Sequence, residues 1–160
     1  MHIRSYDERD LAGLIELTLD TFGPFYEQHF RPLVGERVFA HQHGSWRADY
    51  RAQVPTLHDP SAHKYVAVAE DEDALLGYVA WHIDMTRRHG EVDLLAVAQQ
   101  QRRGGVGTAL CEHTFADMRD REVEVVTIGT GGDAFHAPAY ALYASLGCTA
   151  LPTTVFFKQL

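Results

Sequence analysis

The segment Arg102-Arg103-Gly104-Gly105-Val106-Gly107-Thr108 sets two arginines and three glycines where an apolar run, Leu94 to Ala98, gives way to a helical pattern. Glycine has no Cβ, so a ligand can approach the backbone closely, and the first N–H groups of the following helix lack an acceptor of their own. The chemistry of such a turn is anion binding, because several N–H donors converge at the positive end of a helix dipole. The backbones of Arg102 to Thr108 are the expected donors. The Arg102 and Arg103 side chains either add charge there or stay solvated. The turn does not read as a dinucleotide-binding Gly-x-Gly-x-x-Gly, since Leu110 stands at the third glycine position and the preceding strands form hairpins. No P-loop Gly-Lys-Ser/Thr is present. Upstream, Glu91 and Asp93 are two residues apart in a strand pattern and so share a face, with His82 and Asp84 on the strand before. Carboxylates so placed suit proton transfer or simply line a solvated face.

These groups need a scaffold, and its elements can be read in order. His2 to Tyr6 suits a short strand, with Asp7 as N-cap of a helix and Asp10 in its first turn. Leu11, Leu14, Ile15, Leu19 and Phe22 recur at helical spacing, and Gly23-Pro24 is predicted to stop that helix. Phe25 to Pro60 has no clean period and reads as two short helices and loops. Tyr65–Ala69 and Leu75–Ile83 flank the charged turn Glu70 to Asp73 as a hairpin, and a second hairpin passes through Arg87–Gly90 to Glu91–Val97. After the glycine turn, Val106, Leu110, Cys111, Phe115 and Met118 form the expected buried face of a helix ending near Arg121. Val123–Ile128 is the next strand, a helix runs from about Phe135 to Leu146 with Gly147 as C′ residue, and Thr153–Lys158 is a final strand. The reading is α/β, with a mixed, mainly antiparallel sheet and helices on both faces.

The chain has 160 residues, 46% hydrophobic and 22% charged, which suits one domain spanning 1–160 with a core of its own. A formal charge of −8 argues against a nucleic-acid partner, although a local basic patch can still hold a polyanion. Two cysteines without metal-ligand spacing predict a reduced, cytoplasmic protein with no metal, and no apolar run approaches the roughly 20 residues of a membrane span.

Arg102-Arg103-Gly104-Gly105-Val106-Gly107 fits the (Arg/Gln)-x-x-Gly-x-(Gly/Ala) signature of the GNAT family of N-acetyltransferases, set after a strand and before an amphipathic helix as in that family. A second stretch, His136-Ala137-Pro138-Ala139-Tyr140-Ala141-Leu142-Tyr143-Ala144-Ser145-Leu146-Gly147, resembles the family's later motif. The resemblance implies the GNAT fold, with its sheet splayed at the fourth strand near Val97, and transfer of an acetyl group from acetyl-CoA to a primary amine by direct attack in a ternary complex.

By that resemblance the CoA pyrophosphate meets the glycine turn, Val97 pairs with the pantetheine arm, and the Leu95 N–H lies near the thioester carbonyl. An alkyl amine with a pKa of about 10.4 arrives protonated, so a base is needed, and Glu91 and Asp93 are the candidates. Tyr143 matches the family's acid for the leaving thiolate. His136 stands where many relatives carry Asn and is the expected further contact to CoA. Tyr26, Glu27 and His29, with His82, are the candidate acceptor-binding residues. Trp46 and Tyr50 share the aromatic stretch, with Trp46 expected in the core. The expected partner is an amine, small molecule or peptide, and pairing into a homodimer is left open. Two other readings remain open: a non-catalytic CoA-binding sensor or interaction module on the same fold, and a nucleotide-binding protein using the turn for another phosphate.

Overall fold

The computed structural model describes residues 1–72 and 74–160; Asp73, the end of the expected Glu70–Asp73 turn, lies outside the described residues. Five strands form one sheet in the order β1-β2-β3-β4-β5: β1 His2–Ser5, β2 Lys64–Asp71, β3 Ala74–Asp84, β4 His89–Val97 and β5 Val125–Ile128. The first four pair antiparallel, and β5 joins β4 in parallel. The central strand β3 is buried without a break from Leu76 to Trp81, because helices cover both of its faces. Tyr78 and Ala80 face one core with Leu14, Val66 and Ala96. Val79 and Trp81 face the other, with Val106, Leu110 and Met118. Each large apolar side chain so enclosed contributes about 1.5–3 kcal/mol.

Helix α5, Val106–Asp120, supplies the second of these faces. Its buried residues are Val106, Leu110, Cys111, Thr114 and Met118. Thr114 thus takes a place the periodicity gave to Phe115, its hydroxyl donating to the Leu110 carbonyl at 3.0 Å, whereas Phe115 is only half-buried and borders a cavity.

On the other face lie α1 Leu11–Pro24, α2 Arg31–Val34, α3 Glu36–His43 and α4 Trp46–Gln53. Asp7 caps a single turn before α1, accepting from the Arg9 N–H at 3.0 Å while Asp10 accepts from the Asp7 N–H at 2.8 Å. Gly23-Pro24 does not stop this helix. Proline cannot donate to the preceding turn, and the chain responds by widening into a π-helical stretch, Phe25–Phe30, that leads directly into α2. Gly23 serves packing instead, since a Cβ there would lie 2.7 Å from Cη2 of Trp46, which is 4% exposed. Between Phe25 and Pro60 the chain is therefore more helical than its irregular apolar pattern predicts.

The expected last strand is not formed. Helix α6, Ala137–Ser145, ends in a turn closed by Gly147 (φ +82°) and by the Cys148 N–H bonding to the Tyr143 carbonyl, after which residues 149–160 are exposed. A strand exists only through a neighbour. Among the described residues, no backbone hydrogen bond joins 149–160 to the body of the protein, despite the β propensity of Thr153–Phe157.

Candidate active site

The site begins where β4 and β5 part. Their parallel pairing runs from His89 opposite Val125 to Val92 opposite Ile128, and β4 then continues alone on that side to Val97. The parting thus starts five residues before Val97, where the sequence reading put it. The Ala98 N–H donates to Leu76 on β3 at 2.9 Å, so by strand alternation the N–H groups of Ala96 and Leu94 also face β3. Those of Leu95 and Val97 therefore point into the opening. The Val97 carbonyl also faces it and accepts from Arg102 Nε at 3.4 Å.

The glycine turn closes one end of this opening. Arg103 (φ +67°) and Gly105 (φ +81°) are both left-handed, and Gly105 is the N-cap of α5 without any side chain to cap it. The N–H groups of Val106, Gly107 and Thr108 belong to the uncapped first turn and are free donors at the positive end of a helix of 15 residues. Space around Gly105 is open. Gly107 is different, because a Cβ there would meet Leu142 Cδ2 of α6 at 3.1 Å, so this glycine lets α6 approach α5. The turn fits a phosphate-bearing ligand: Gly105 is exposed at the uncapped start of α5, and Arg102 and Arg103 stand exposed beside it. Of the donors expected from Arg102 to Thr108, the Arg102 and Gly104 N–H groups are already taken, by the Gln99 carbonyl at 3.4 Å and the Gln101 carbonyl at 3.3 Å.

A second group lies on the face of the sheet covered by α1. His82 pairs with Glu91 across β3 and β4, and the register then slips, so that Trp81 opposes Val92, Ala80 opposes Leu94, and Asp93 is the extra residue of a β-bulge. Bulges re-aim side chains. Here the bulge brings both carboxylate oxygens of Asp93 to 2.9 and 3.0 Å from His82 Nδ1. Nδ1 donates to the carboxylate, which leaves Nε2, 3.8 Å from Glu91 Oε2, as the acceptor nitrogen. Burial raises the Asp93 carboxyl above its ordinary value, against the hydrogen bond and charge of His82. Glu91 raises it further and Lys64 opposes this. Pairwise spacing alone puts Glu91 and Asp93 on one face; the link to His82 depends on the bulge and was not legible.

Tyr143 stands on α6 beside a cavity of about 820 Å³ bounded by α5, β5, α6 and the segment up to Thr153. Burial, with neighbouring Cys111 and Cys148 adding, holds its hydroxyl above the ordinary tyrosine value, so the phenol stays protonated through the neutral range. Cys111 is fully buried and its thiol is pushed up to about 12, chiefly by burial, so it is neutral and inaccessible. His136, at the start of α6, bonds through Nδ1 to Asp133 and packs its ring 4.8 Å from Phe25.

The other residues singled out in the sequence fall into two places. Tyr26 stacks on Trp46 at 5.3 Å and shares a hydrogen bond with Tyr50 at 3.0 Å. Glu27 accepts from Trp46 Nε1 at 3.0 Å and from Arg31 at 2.8 Å, and these two bonds, in that order, hold its carboxyl below the usual value. Both side chains are thus occupied in joining the π-helical stretch to α2 and α4. His29 is exposed and lies 5.3 Å from Phe135, next to His136. The contacts of Phe25 and His29 with Phe135 and His136 join the π-helical stretch to the segment leading into α6, a contact no spacing rule announced.

A sheet that parts between its fourth and fifth strands, with a glycine turn and uncapped helix at the mouth, invites comparison with known folds. Residues 11–148 match the family model described as Acetyltransferase (GNAT) family. The chain belongs to the GNAT acetyltransferase family. A sequence comparison with curated proteins finds no match. Among solved structures, a mutant of the BH1408 protein of Bacillus halodurans superposes with a TM-score of 0.75 at 19% identity, over 100% of both chains. The aminoglycoside 6'-N-acetyltransferase AAC(6')-Ig of Acinetobacter haemolyticus gives 0.67 at 15% identity, over 100% of this chain and 99% of that one. AAC(6')-Iy, in complex with the bisubstrate analog CoA-S-monomethyl-acetylneamine, gives 0.68 at 12% identity, over 99% and 97%. At these identities the likeness is one of fold. Family membership supports an acyl-CoA acetyltransferase in general, and among the described residues no helix is long and apolar enough to cross a membrane.

Proposed function

We propose that this GNAT protein transfers an acetyl group from acetyl-CoA to a primary amine by direct attack in a ternary complex. The observation that carries this reading is the continuity of the open β4 edge, with the Leu95 and Val97 N–H groups turned outward, and the uncapped α5 turn at Gly105. The N–H groups of Arg103 and of Gly105 to Thr108, with the two arginines, would hold the pyrophosphate, Val97 the pantetheine arm, and His136 a further part of CoA. When bound, acetyl-CoA supplies a thioester whose carbonyl carbon is open to attack by a neutral amine. The Leu95 N–H hydrogen-bonds the carbonyl oxygen as negative charge builds there, a contribution of a few kcal/mol for a fixed donor in a site shielded from water.

Glu91 draws the incoming ammonium, and His82 Nε2 takes its proton through a water, while Asp93 fixes the imidazole tautomer. Tyr143 returns a proton to the departing sulfur. A neutral, inaccessible Cys111 supports attack by the amine itself over an acyl-cysteine route. The relatives that act on aminoglycosides support a small polyamine-like acceptor over a peptide, and exposed His29, against Phe135 before α6, is placed to meet it.

The test is a screen of small amines, polyamines, aminoglycosides and peptides with acetyl-CoA, read as free CoA thiol, beside calorimetric binding of CoA and of ATP. Thiol release with at least one amine class and binding of CoA over ATP are expected. Tight CoA binding without turnover of any amine favours the sensor reading, and preference for ATP overturns the cofactor assignment.

A further inference from the structure

A second acid–histidine pair follows directly on the end of β5. That strand stops at Ile128, opposite Val92, and the chain then runs through Gly129–Gly132 to Asp133 and a single turn, Ala134–His136, before α6. Asp133 is the N-cap of that turn, a position from which aspartate ordinarily accepts a backbone N–H. Its side chain makes no such bond. One carboxylate oxygen, Oδ1, goes instead to Nδ1 of His136, and the other, Oδ2, is buried without a partner among the described residues. A buried carboxylate oxygen left unpaired costs stability, so the arrangement does not serve to hold the turn. Gly131 makes room for it. A Cβ there would lie 2.8 Å from Asp133 Oδ1 and collide with Nδ1 of His136, so a side chain at this position would push the pair apart. The imidazole is also held on its flanks, in T-shaped contacts with Phe25 at 4.8 Å and Phe135 at 5.0 Å.

An ionised carboxylate can only accept, so the proton between the two groups belongs to Nδ1, and in the neutral ring the lone pair is on Nε2. Nε2 has no partner among the described residues, and the His136 side chain is 19% exposed. We propose that Asp133 is a positioning residue for cofactor binding: by fixing the tautomer and rotation of His136, it presents Nε2 as a hydrogen-bond acceptor to the amide N–H and hydroxyl donors of the pantetheine arm. The proposal rests on the acetyl-CoA reading and adds to it two residues, Asp133 and Gly131, that act through a third. An asparagine at 136 would carry a donor and an acceptor on one side chain and could turn either outward. A neutral histidine offers Nε2 as acceptor only while Nδ1 keeps the proton, and so it needs an anion beside it and space for that anion.

Nitrogen NMR of the imidazoles in the free, full-length protein is expected to show the neutral His136 ring protonated at Nδ1. Asp133→Ala should move it toward the Nε2–H form, and Asp133→Asn, whose amide oxygen still accepts, should keep it at Nδ1. By calorimetry with CoA, Asp133→Ala and Gly131→Ala should each weaken binding about tenfold, the size of one hydrogen bond lost, and Asp133→Asn should recover most of that loss. His136→Ala should weaken binding by as much. Asp133→Ala added to His136→Ala should then cost nothing further, because the carboxylate acts only through the ring. A wild-type ring protonated at Nε2, a CoA affinity of Asp133→Ala within about twofold of the wild type, or losses that add in the double variant would overturn the proposal and leave the acetyl-CoA reading standing. A wild-type protein that binds no CoA overturns that reading and the proposal with it.

Discussion

The chain up to Met118 and the chain after it are built from similarly apolar material and reach different ends. Ala69, Tyr78, Val79, Ala80, Ala96 and Leu110 are all 0% exposed, whereas among the described residues none beyond Met118 is fully buried. The later part has Val125, Leu146, Leu151, Val155, Phe156 and Phe157 to bury but only one short helix and one four-residue strand to bury them against. Apolar content makes a core only where elements on two sides enclose it. The first region carries the stability of the fold, and the second supplies the open edge, the cavity and Tyr143. The site lies on the seam between the two, where β4 leaves β5.

The largest expected effect sharpens this division. Leu110→Ala removes a fully buried side chain packed against β3 and should cost about 2–5 kcal/mol in urea unfolding. Leu151→Ala, 87% exposed, should stay within about 0.5 kcal/mol. Comparable losses at the two positions would mean that the later region is part of the same cooperative core.

Much of the first region was legible in the sequence. The hairpins from Tyr65 to Val97 and the start of α5 at Val106 follow from short-range patterns, apolar alternation and glycine placement, that act within a few residues. What escaped depends on partners distant in the chain. Gly23-Pro24 carries a stop signal, but the Trp46 ring, 23 residues beyond Gly23, fills the space and the helix continues through a π-helical stretch. Asp93 meets His82 only because a bulge inserts it into the register. Thr153–Phe157 has the composition of a strand, yet a strand also needs an edge within reach, and composition says nothing of where that edge is. Within the candidate site the turn at Gly105 was evident from spacing, whereas Gly107 owes its lack of a side chain to Leu142 of another helix.

On the seam, the next effect concerns proton removal. His82→Asn keeps a polar group on β3 but removes Nε2 as proton acceptor, and should lower kcat/KM for the best amine about 10²-fold or more, with CoA affinity unchanged by calorimetry. Asp93→Asn should lower it less, because the imidazole stays while its tautomer is no longer fixed. An unaltered kcat/KM in both would remove this pair from the chemistry and leave Glu91 as the base.

Tyr143→Phe keeps the ring in the cavity and removes only the phenolic proton. On the same general-acid scale kcat should fall at least about tenfold, with nearly unchanged CoA binding. Burial holds this hydroxyl above its usual value, so no loss of activity from its ionisation is expected as pH rises through 9. If kcat is unchanged while chemistry limits turnover, Tyr143 only packs against the cavity, and His136 becomes the next candidate for the acid.

The smallest effect tests the other end of the well-packed region, where stability should depend on acid. Arg4 on β1 binds Asp10 through two bonds of 2.8 Å and Glu70 on β2 through bonds of 2.9 and 2.7 Å, tying the first turn to the sheet. The Arg4 guanidinium is the main cause that holds both carboxyls below their ordinary values, with the Asp7 N–H adding to the effect at Asp10. A carboxyl whose pKa is lower in the folded than in the unfolded chain binds protons more tightly when unfolded, so its stabilising contribution is complete above the unfolded values of about 3.9 and 4.3. That contribution is lost as pH falls through the lower folded values. Thermal melts of the wild type and of the Asp10→Asn, Glu70→Gln double variant should therefore differ by a few degrees at pH 6 to 7, a size expected for a partly exposed ion network, and should converge as the pH drops below about 4. A gap that stays constant from pH 7 to 3 would show that these residues act through shape and hydrogen bonding alone, and that charge contributes nothing to fastening β1 to the core.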